Sequence, residues 1–409
     1  MLEVWLHGER VGALDEGPAG LRFRYGEAAL DDPRTARLSV RLPVRARPYD
    51  HMETAAFFEN LLPDEDVRAM LSDATRFAAT DTVALLGAVG GECAGAVSLW
   101  PAGMAPPAPD YLPVKAKDLA RLGGGTPAGV ARELTAGRQS MSGAQEKLVF
   151  LRRGAKYFLP RAGSPTTVLV KRSRDRFPGL LQNEHLAMRL MAAAGPPVAA
   201  ATPCALDPAL YECVRYDRVA EGKGVTRLHQ EDFCQATGRL PRAKYFSTGG
   251  PSLSDLRVVL DRHSADALED VRWLARWVVA NLCLGNYDAH AKNLSLLTTP
   301  SAGMRLAPFY DVVCTGVYEG LSRDFALRVG GATTMRTLTA KALPVLAREL
   351  RLARAELEEV VASTCDAVLG AAEDGAHEVA QSVGEHEVLG KVVRFARTTA
   401  AEVRKKLVG

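Results

Sequence analysis

An aspartate, Asp288, stands five residues before an asparagine, Asn293, and a second aspartate, Asp311, follows a stretch patterned like a short hairpin. These are the residue types that phosphoryl transfer requires. That reaction asks little covalent work of a protein; catalysis lies in placing a hydroxyl in line with a phosphate and neutralising charge with a divalent cation. Asp288 would accept or orient the hydroxyl proton. Magnesium takes hard oxygen ligands and keeps several waters, so the Asn293 amide oxygen and the Asp311 carboxylate, together with substrate phosphates, form a sufficient set. No histidine or cysteine ligand is needed.

A lone D-x-x-x-x-N fixes only two positions and is more often an ordinary turn, because Asn and Asp favour turns for local hydrogen-bonding reasons. Its surroundings give this one weight. Residues 271–282 repeat apolar side chains at helical spacing, and residues 294–297 read as a short strand. Helix, loop, hairpin and metal aspartate, in that order, are the arrangement of a protein-kinase active site. Upstream, Lys171 ends the β-rich run 166–170, from where a lysine can reach the α- and β-phosphates. Glu184 is expected to open an apolar helix over 186–194, stopped by Gly195, Pro196 and Pro197. A strand lysine oriented by a helix carboxylate is the ion pair that kinases use.

Three segments, 140–147, 228–235 and 288–293, together resemble the HipA-type serine/threonine-protein kinase toxins of bacterial type II toxin-antitoxin pairs, and the similarity runs through most of the chain, including 57–64. The resemblance implies a phosphate-covering loop made by Ser142, Gly143, Ala144, Gln145, Glu146 and Lys147. Gly143 would allow close backbone approach and Lys147 would add charge. It implies an autophosphorylated serine at Ser140, with Ser142 the competing position because it stands where the family has a small apolar residue. A phosphate on Ser140 could be held by Arg138 and Lys147 with the loop in an open arrangement. Val214 and Tyr216 would flank the adenine, His290 would join the nucleotide-binding residues, and Lys292 would join Asp288 as catalytic. The implied activity is ATP- and Mg²⁺-dependent phosphorylation of a protein serine or threonine. The family target is an aminoacyl-tRNA synthetase, usually the glutamyl enzyme, and its modification leads to growth arrest and persistence. A small helix-turn-helix antitoxin, HipB-like, would hold the toxin in check, with operator DNA bound mainly through the antitoxin. Two other readings stay open: a small-molecule phosphotransferase of kinase-like fold, and a catalytically silent corepressor acting through the antitoxin.

The fold expected is α+β: a bilobal protein-kinase-like fold with an extra N-terminal α/β subdomain and a mostly helical C-terminal lobe. Its expected segments are an N-terminal subdomain over 1–105, a nucleotide-binding region over 114–245, and a helical lobe with catalytic loop and metal aspartate over 246–409. Prolines crowd residues 101–113 and suggest a stiff linker. Strands are expected over 2–14, 22–25, 38–42 and 95–100, a helix over 55–62, and a hairpin pairing 147–151 with 157–160. The 409 residues are 47% hydrophobic, which excludes a disordered chain, and 51 basic against 48 acidic residues leave no general nucleic-acid signal. The most basic stretch, with Lys391, Arg394, Arg397, Arg404, Lys405 and Lys406, reads as the solvated face of a terminal helix. Seven cysteines lie far apart with no C-x-x-C, so they suggest reduced core residues rather than a disulfide or zinc framework. The N-terminus lacks the design of a signal peptide, and no apolar run approaches the ~18 residues that span a bilayer. A cytoplasmic protein with no membrane partner is expected.

Overall fold

Alternation of apolar and polar residues builds the first sheet: Leu2, Val4 and Leu6 turn inward from the strand Leu2–Leu6. The computed structural model describes residues 1–119, 122, 127–140, 147–171, 176–222 and 224–409. These fall into two units. One comprises Met1–Lys171, Cys204–Pro241 and Leu297–Pro300; the other comprises Arg172–Pro203, Arg242–Leu296 and Ser301–Gly409. The mixed α/β architecture with a helical C-terminal region is as the sequence predicts.

In the first unit, the four antiparallel strands lie in the order Gly20–Tyr25, Glu9–Gly17, Leu2–Leu6, Val97–Pro101. Phe23, Tyr49, Phe57 and Phe58 fill the core beneath them. The helix His51–Phe58 begins with a reciprocal cap between Asp50 and Glu53. The helices Glu65–Thr75 and Thr82–Val89 escape the sequence reading; the second is apolar on nearly all sides and so lacks a helical stripe. The strand expected over 38–42 is a single bridge between Ser39 and Leu42. Its apolar residues instead line the core, and its main chain serves side chains elsewhere in the unit: His229 Nε2 meets the Leu38 carbonyl at 2.9 Å, and Val40 N–H donates to Glu231 at 2.9 Å.

A second sheet carries, in spatial order, Asp110–Val114, Lys156–Arg161, Lys147–Arg153, Val168–Lys171 and Asp207–Val214. The expected hairpin is present, with Leu151 opposite Phe158 and Arg153 opposite Lys156. The end of the proline-rich segment is therefore strand rather than linker. Pro113 is accommodated because Asp110–Val114 pairs on one side only, so its missing N–H costs no bond.

The second unit is built on helices. Ala267–Leu284 buries Val271, Leu274, Trp277, Val278 and Leu282, and it packs against Arg354–Val383 and Glu387–Leu407. Four basic residues of the last helix are ion-paired, Lys391 with Glu387 at 2.6 Å, Arg397 with Glu373 at 2.7 Å, Arg404 with Asp366, and Lys406 with Glu402 at 2.8 Å. A hairpin of Asp324–Val329 and Ala332–Thr334 interrupts the helical half and was not anticipated. Among the described residues no helix is long and apolar enough to cross a membrane. Six of the seven cysteines are buried and Cys213 is half-buried.

Candidate functional site

The helix Ala267–Leu284 ends where the site begins. Gly285 takes the left-handed conformation, with φ of 60°, and a Cβ there would lie 2.2 Å from the Phe395 ring. Only glycine meets both demands. Beyond it runs a relay of buried amides. Asn281 Nδ2 donates to the Trp277 carbonyl at 2.8 Å, Asn286 Nδ2 donates to Asn281 Oδ1 at 2.7 Å, and the Asp288 N–H donates to Asn286 Oδ1 at 3.2 Å. The helix thereby fixes the main chain of Asp288 while leaving its carboxylate exposed.

One oxygen of that carboxylate accepts the Tyr245 hydroxyl at 2.5 Å. A bond of this kind fixes the direction of the carboxylate. Tyr245 also meets the His290 ring edge-on at 5.1 Å, and Ala291 N–H donates to the Lys244 carbonyl at 3.2 Å. His290 is buried and braces the loop, with its N–H bonded to the Asp288 carbonyl at 2.8 Å. The Asn293 Nδ2 donates to that same carbonyl at 3.2 Å. The amide nitrogen is thus occupied by the loop, and the oxygen is the atom that could serve a cation. Lys292 is buried on the single turn Ala291–Asn293.

Asp311 arrives on a separately anchored segment. Asp270, fully buried near the start of the long helix, accepts the Leu306 N–H at 2.8 Å and Arg305 Nε at 2.9 Å. Phe309 pairs with the chain at Pro197 and Ala199 through main-chain bonds of 2.9 and 2.8 Å. Tyr310 then joins segment and loop: its hydroxyl donates to the Lys292 carbonyl at 2.7 Å and shares a bond with the Ser295 hydroxyl at 2.8 Å. Asp311 itself has φ of 59°. Non-glycine residues seldom adopt that conformation, aspartate among the more tolerant, and a strained residue held this way commonly marks a functional position. Past it, Thr315 Oγ1 accepts the Tyr287 N–H at 2.9 Å and donates to the Gly285 carbonyl at 3.1 Å, clasping the loop from the other side. Burial raises the Tyr287 phenol above its ordinary range despite the nearby Arg323.

The first unit holds most of the other predicted residues that are described. Lys147 and Lys171 sit directly opposite each other on paired strands, and Tyr211 is the cross-strand neighbour of Lys171 on its other side. Val214 ends the strand Asp207–Val214, and Tyr216 follows, its hydroxyl donating to Gln230 Oε1. Ser140 is fully buried; its hydroxyl donates to the Leu61 carbonyl at 2.6 Å and its N–H to the Glu92 carbonyl at 2.9 Å. Arg138 is not arranged to hold a phosphate there, since its guanidinium lies 4.7 Å over the Trp100 ring and donates to the Leu99 carbonyl at 3.3 Å. Ser142, Gly143, Ala144, Gln145 and Glu146 lie outside the described residues. Glu184 belongs to the second unit, buried on the helix Leu180–Ala193; it lies in the second turn rather than at the start, because the helix begins earlier, at Leu180.

Sequence reasoning missed Tyr245, Tyr310 and the Asn281–Asn286 pair. The last had a legible signal, two amides at the end of an apolar helix next to a catalytic-type aspartate. The tyrosines had none, since their partners are distant in sequence.

The HipA-like C-terminal domain matches residues 139–372 and the HipA N-terminal domain matches residues 2–100. The kinase-designated protein Y4mE of Sinorhizobium fredii is 38% identical over 391 residues, 91% of this chain and 92% of that protein. The serine/threonine-protein kinase toxin HipA of Shewanella oneidensis is 30% identical over 297 residues, 68% of this chain and 66% of that one. In the solved complex of Shewanella oneidensis HipA with HipB and operator DNA, HipA superposes with a TM-score of 0.83 at 24% identity, covering 99% of this chain and 97% of that one, so the two share a fold. With both domains matched in order and a relative this similar along nearly the whole chain, the protein belongs to the HipA family.

Proposed function

We propose that this protein is a serine/threonine-protein kinase of HipA type, transferring the γ-phosphate of ATP to a hydroxyl of a protein substrate. The observation that carries the reading is the joint anchoring of Asp288, Asn293 and Asp311, with Tyr310 binding the aspartate segment to the loop at the Lys292 carbonyl. Asp288, steered by Tyr245, would take or orient the hydroxyl proton; Lys147 and Lys171 would face the phosphates. Lys292, His290, Glu184, Val214 and Tyr216 keep the roles the resemblance implies.

The donor set suits magnesium. One amide oxygen and one carboxylate are hard ligands, and among the described residues no cluster of three or more His, Cys, Asp or Glu forms an all-protein cage. A bound Mg²⁺ would neutralise charge on the phosphate oxygens.

The implied physiology is a toxin whose target is an aminoacyl-tRNA synthetase, the glutamyl enzyme foremost, neutralised by a HipB-like antitoxin that also brings operator DNA. The solved HipA complex with HipB and its operator supports that partner reading. Ser140 fits an autophosphorylation switch of a particular kind. A phosphate cannot occupy the buried site of its hydroxyl, so modification and the present placement exclude each other. Intact mass and peptide mapping of actively expressed protein are expected to find phosphate on Ser140, lost when Asp288 is replaced; phosphate confined to Ser142 would remove this switch.

The test of activity is incubation of the purified chain with labelled ATP and cell lysate. Label in a protein band is the expected result. Label in small molecules would instead identify a small-molecule phosphotransferase, and no label a silent corepressor.

A further inference from the structure

Glu92 lies fully buried in the first unit, and two different segments depend on it. Its main chain is bonded on both sides to the segment that ends in Ser140: Glu92 N–H donates to the Arg138 carbonyl at 2.9 Å, and Ser140 N–H donates to the Glu92 carbonyl at 2.9 Å. Its carboxylate faces the opposite segment. One oxygen accepts Arg215 Nη1 at 2.9 Å, Arg218 Nη2 at 3.0 Å and the Thr166 N–H at 2.9 Å, and the other lies 2.7 Å from Arg227.

Arg215 and Arg218 bracket Tyr216 and Asp217. Asp217 in turn binds Arg215 Nη2 at 2.8 Å, Arg218 Nη1 at 2.7 Å and the Gly95 N–H at 2.8 Å. Both arginines also donate to the Cys93 carbonyl, at 3.0 and 2.7 Å. The 215–218 turn therefore has its shape set by residues 92–95, and Tyr216 has little freedom to shift while that lattice holds. Burial raises the cost of charging Glu92, but Arg218, Arg227 and Arg215 outweigh it and keep the carboxyl below its ordinary range.

We propose that Glu92 is a positioning residue for the nucleotide: it anchors both Ser140, where the phosphate-covering segment begins, and the 215–218 turn that presents Tyr216 to adenine. This rests on the kinase reading above. Glu92 touches no substrate; it acts through the two segments it holds.

The test uses the full chain carrying Glu92→Gln, which keeps the volume and the main-chain bonds but removes the charge. Steady-state kinetics are expected to give a KM for ATP raised about tenfold with kcat held within about twofold, and Glu92→Asp is expected to restore part of the affinity. A variant whose kcat falls with its folded fraction while KM stays unchanged would reduce Glu92 to a merely structural role and overturn the proposal. Should Glu92→Gln fail to fold, Arg227→Gln, at the more open edge of the cluster, carries the same test: a several-fold rise in KM supports the proposal and an unchanged KM overturns it. A wild-type chain that binds no ATP would overturn the kinase reading together with this proposal. A wild-type chain that binds ATP, beside a Glu92→Gln variant of equal KM, would overturn this proposal alone.

Discussion

The Tyr310 hydroxyl donates to the Lys292 carbonyl at 2.7 Å, so the residue before the second aspartate grips the residue before the loop asparagine. The two proposed cation ligands are thus held in mutual register by a bond that neither of them makes. Tyr310→Phe keeps the ring and deletes this tie. The bond shared with Ser295 goes with it, and at about 1 kcal/mol for each bond the loss is about 2 kcal/mol of stability, a modest fall in melting temperature. The larger expected effect is on metal use, a several-fold rise in the Mg²⁺ concentration giving half-maximal transfer, read by titrating Mg²⁺ in the kinase assay. An unchanged Mg²⁺ dependence would separate Tyr310 from the metal site.

Asp288→Ala and Asp311→Asn are each expected to abolish transfer, since loss of a positioned base or metal ligand costs several powers of ten. Asparagine is the informative choice at 311, because it tolerates the left-handed backbone that alanine would strain. Asp288 is exposed, so its removal is expected to move stability by no more than about 0.5 kcal/mol. Retention of a tenth of the wild-type rate by either variant would refute that residue's role.

Gly285→Ala tests the hinge between helix and loop. The added methyl meets the Phe395 ring at 2.2 Å in a backbone conformation that already disfavours a Cβ. Strain and overpacking together predict a loss of about 2–4 kcal/mol in denaturant unfolding, with the loop displaced. A variant as stable as wild type would show that the helix end yields more easily than its packing implies.

Burial pushes the Glu231 carboxyl up to about 7, against the opposing effect of donors from Ser39 and Val40. Between the ordinary 4.5 and about 7 the folded protein holds a proton that the unfolded chain has released, so stability falls as pH rises through that window. His229, buried and lowered to about 4, acts in the opposite sense below its ordinary 6.5, contributing stability that is lost as pH falls. Comparison of Glu231→Gln with wild type isolates the carboxyl: the variant is expected to gain in relative stability as pH rises from about 5 to 8. A difference in melting temperature that does not vary with pH would refute a protonated Glu231.

Much of the second-unit site was legible in sequence because its parts are local. Helical periodicity marks Ala267–Leu284, a glycine stops it, and Asp288 and Asn293 follow within one short loop. What fixes their directions was not legible. Tyr245 reaches Asp288 across 43 residues and Tyr310 reaches Lys292 across 18, and no spacing rule relates such pairs. The helix over 82–89 failed for another reason: an element apolar on nearly every side carries no stripe to read, even though only Thr82, Leu85, Leu86 and Val89 are buried. Charge was equally silent, since Glu92, Asp217 and the three arginines around them look in sequence like surface residues, and only their convergence shows them to be interior.

That interior lattice bears on how the protein can be divided. The proline-rich segment after residue 100, where the match to the N-terminal domain also ends, looks like a place to cut. A fragment starting beyond it would keep Arg215, Arg218 and Arg227 and lose Glu92, leaving Arg215 and Arg218 to share the carboxylate of Asp217 and taking from Arg227 the carboxylate it pairs with. Stranding buried charge in this way costs about 3–5 kcal/mol, a large part of what holds an ordinary domain together. The two matched domains are therefore not modules that evolution or an engineer can exchange freely. A recombinant catalytic fragment is expected to precipitate, and a transplanted N-terminal segment will serve only if it brings an acid to the same spot.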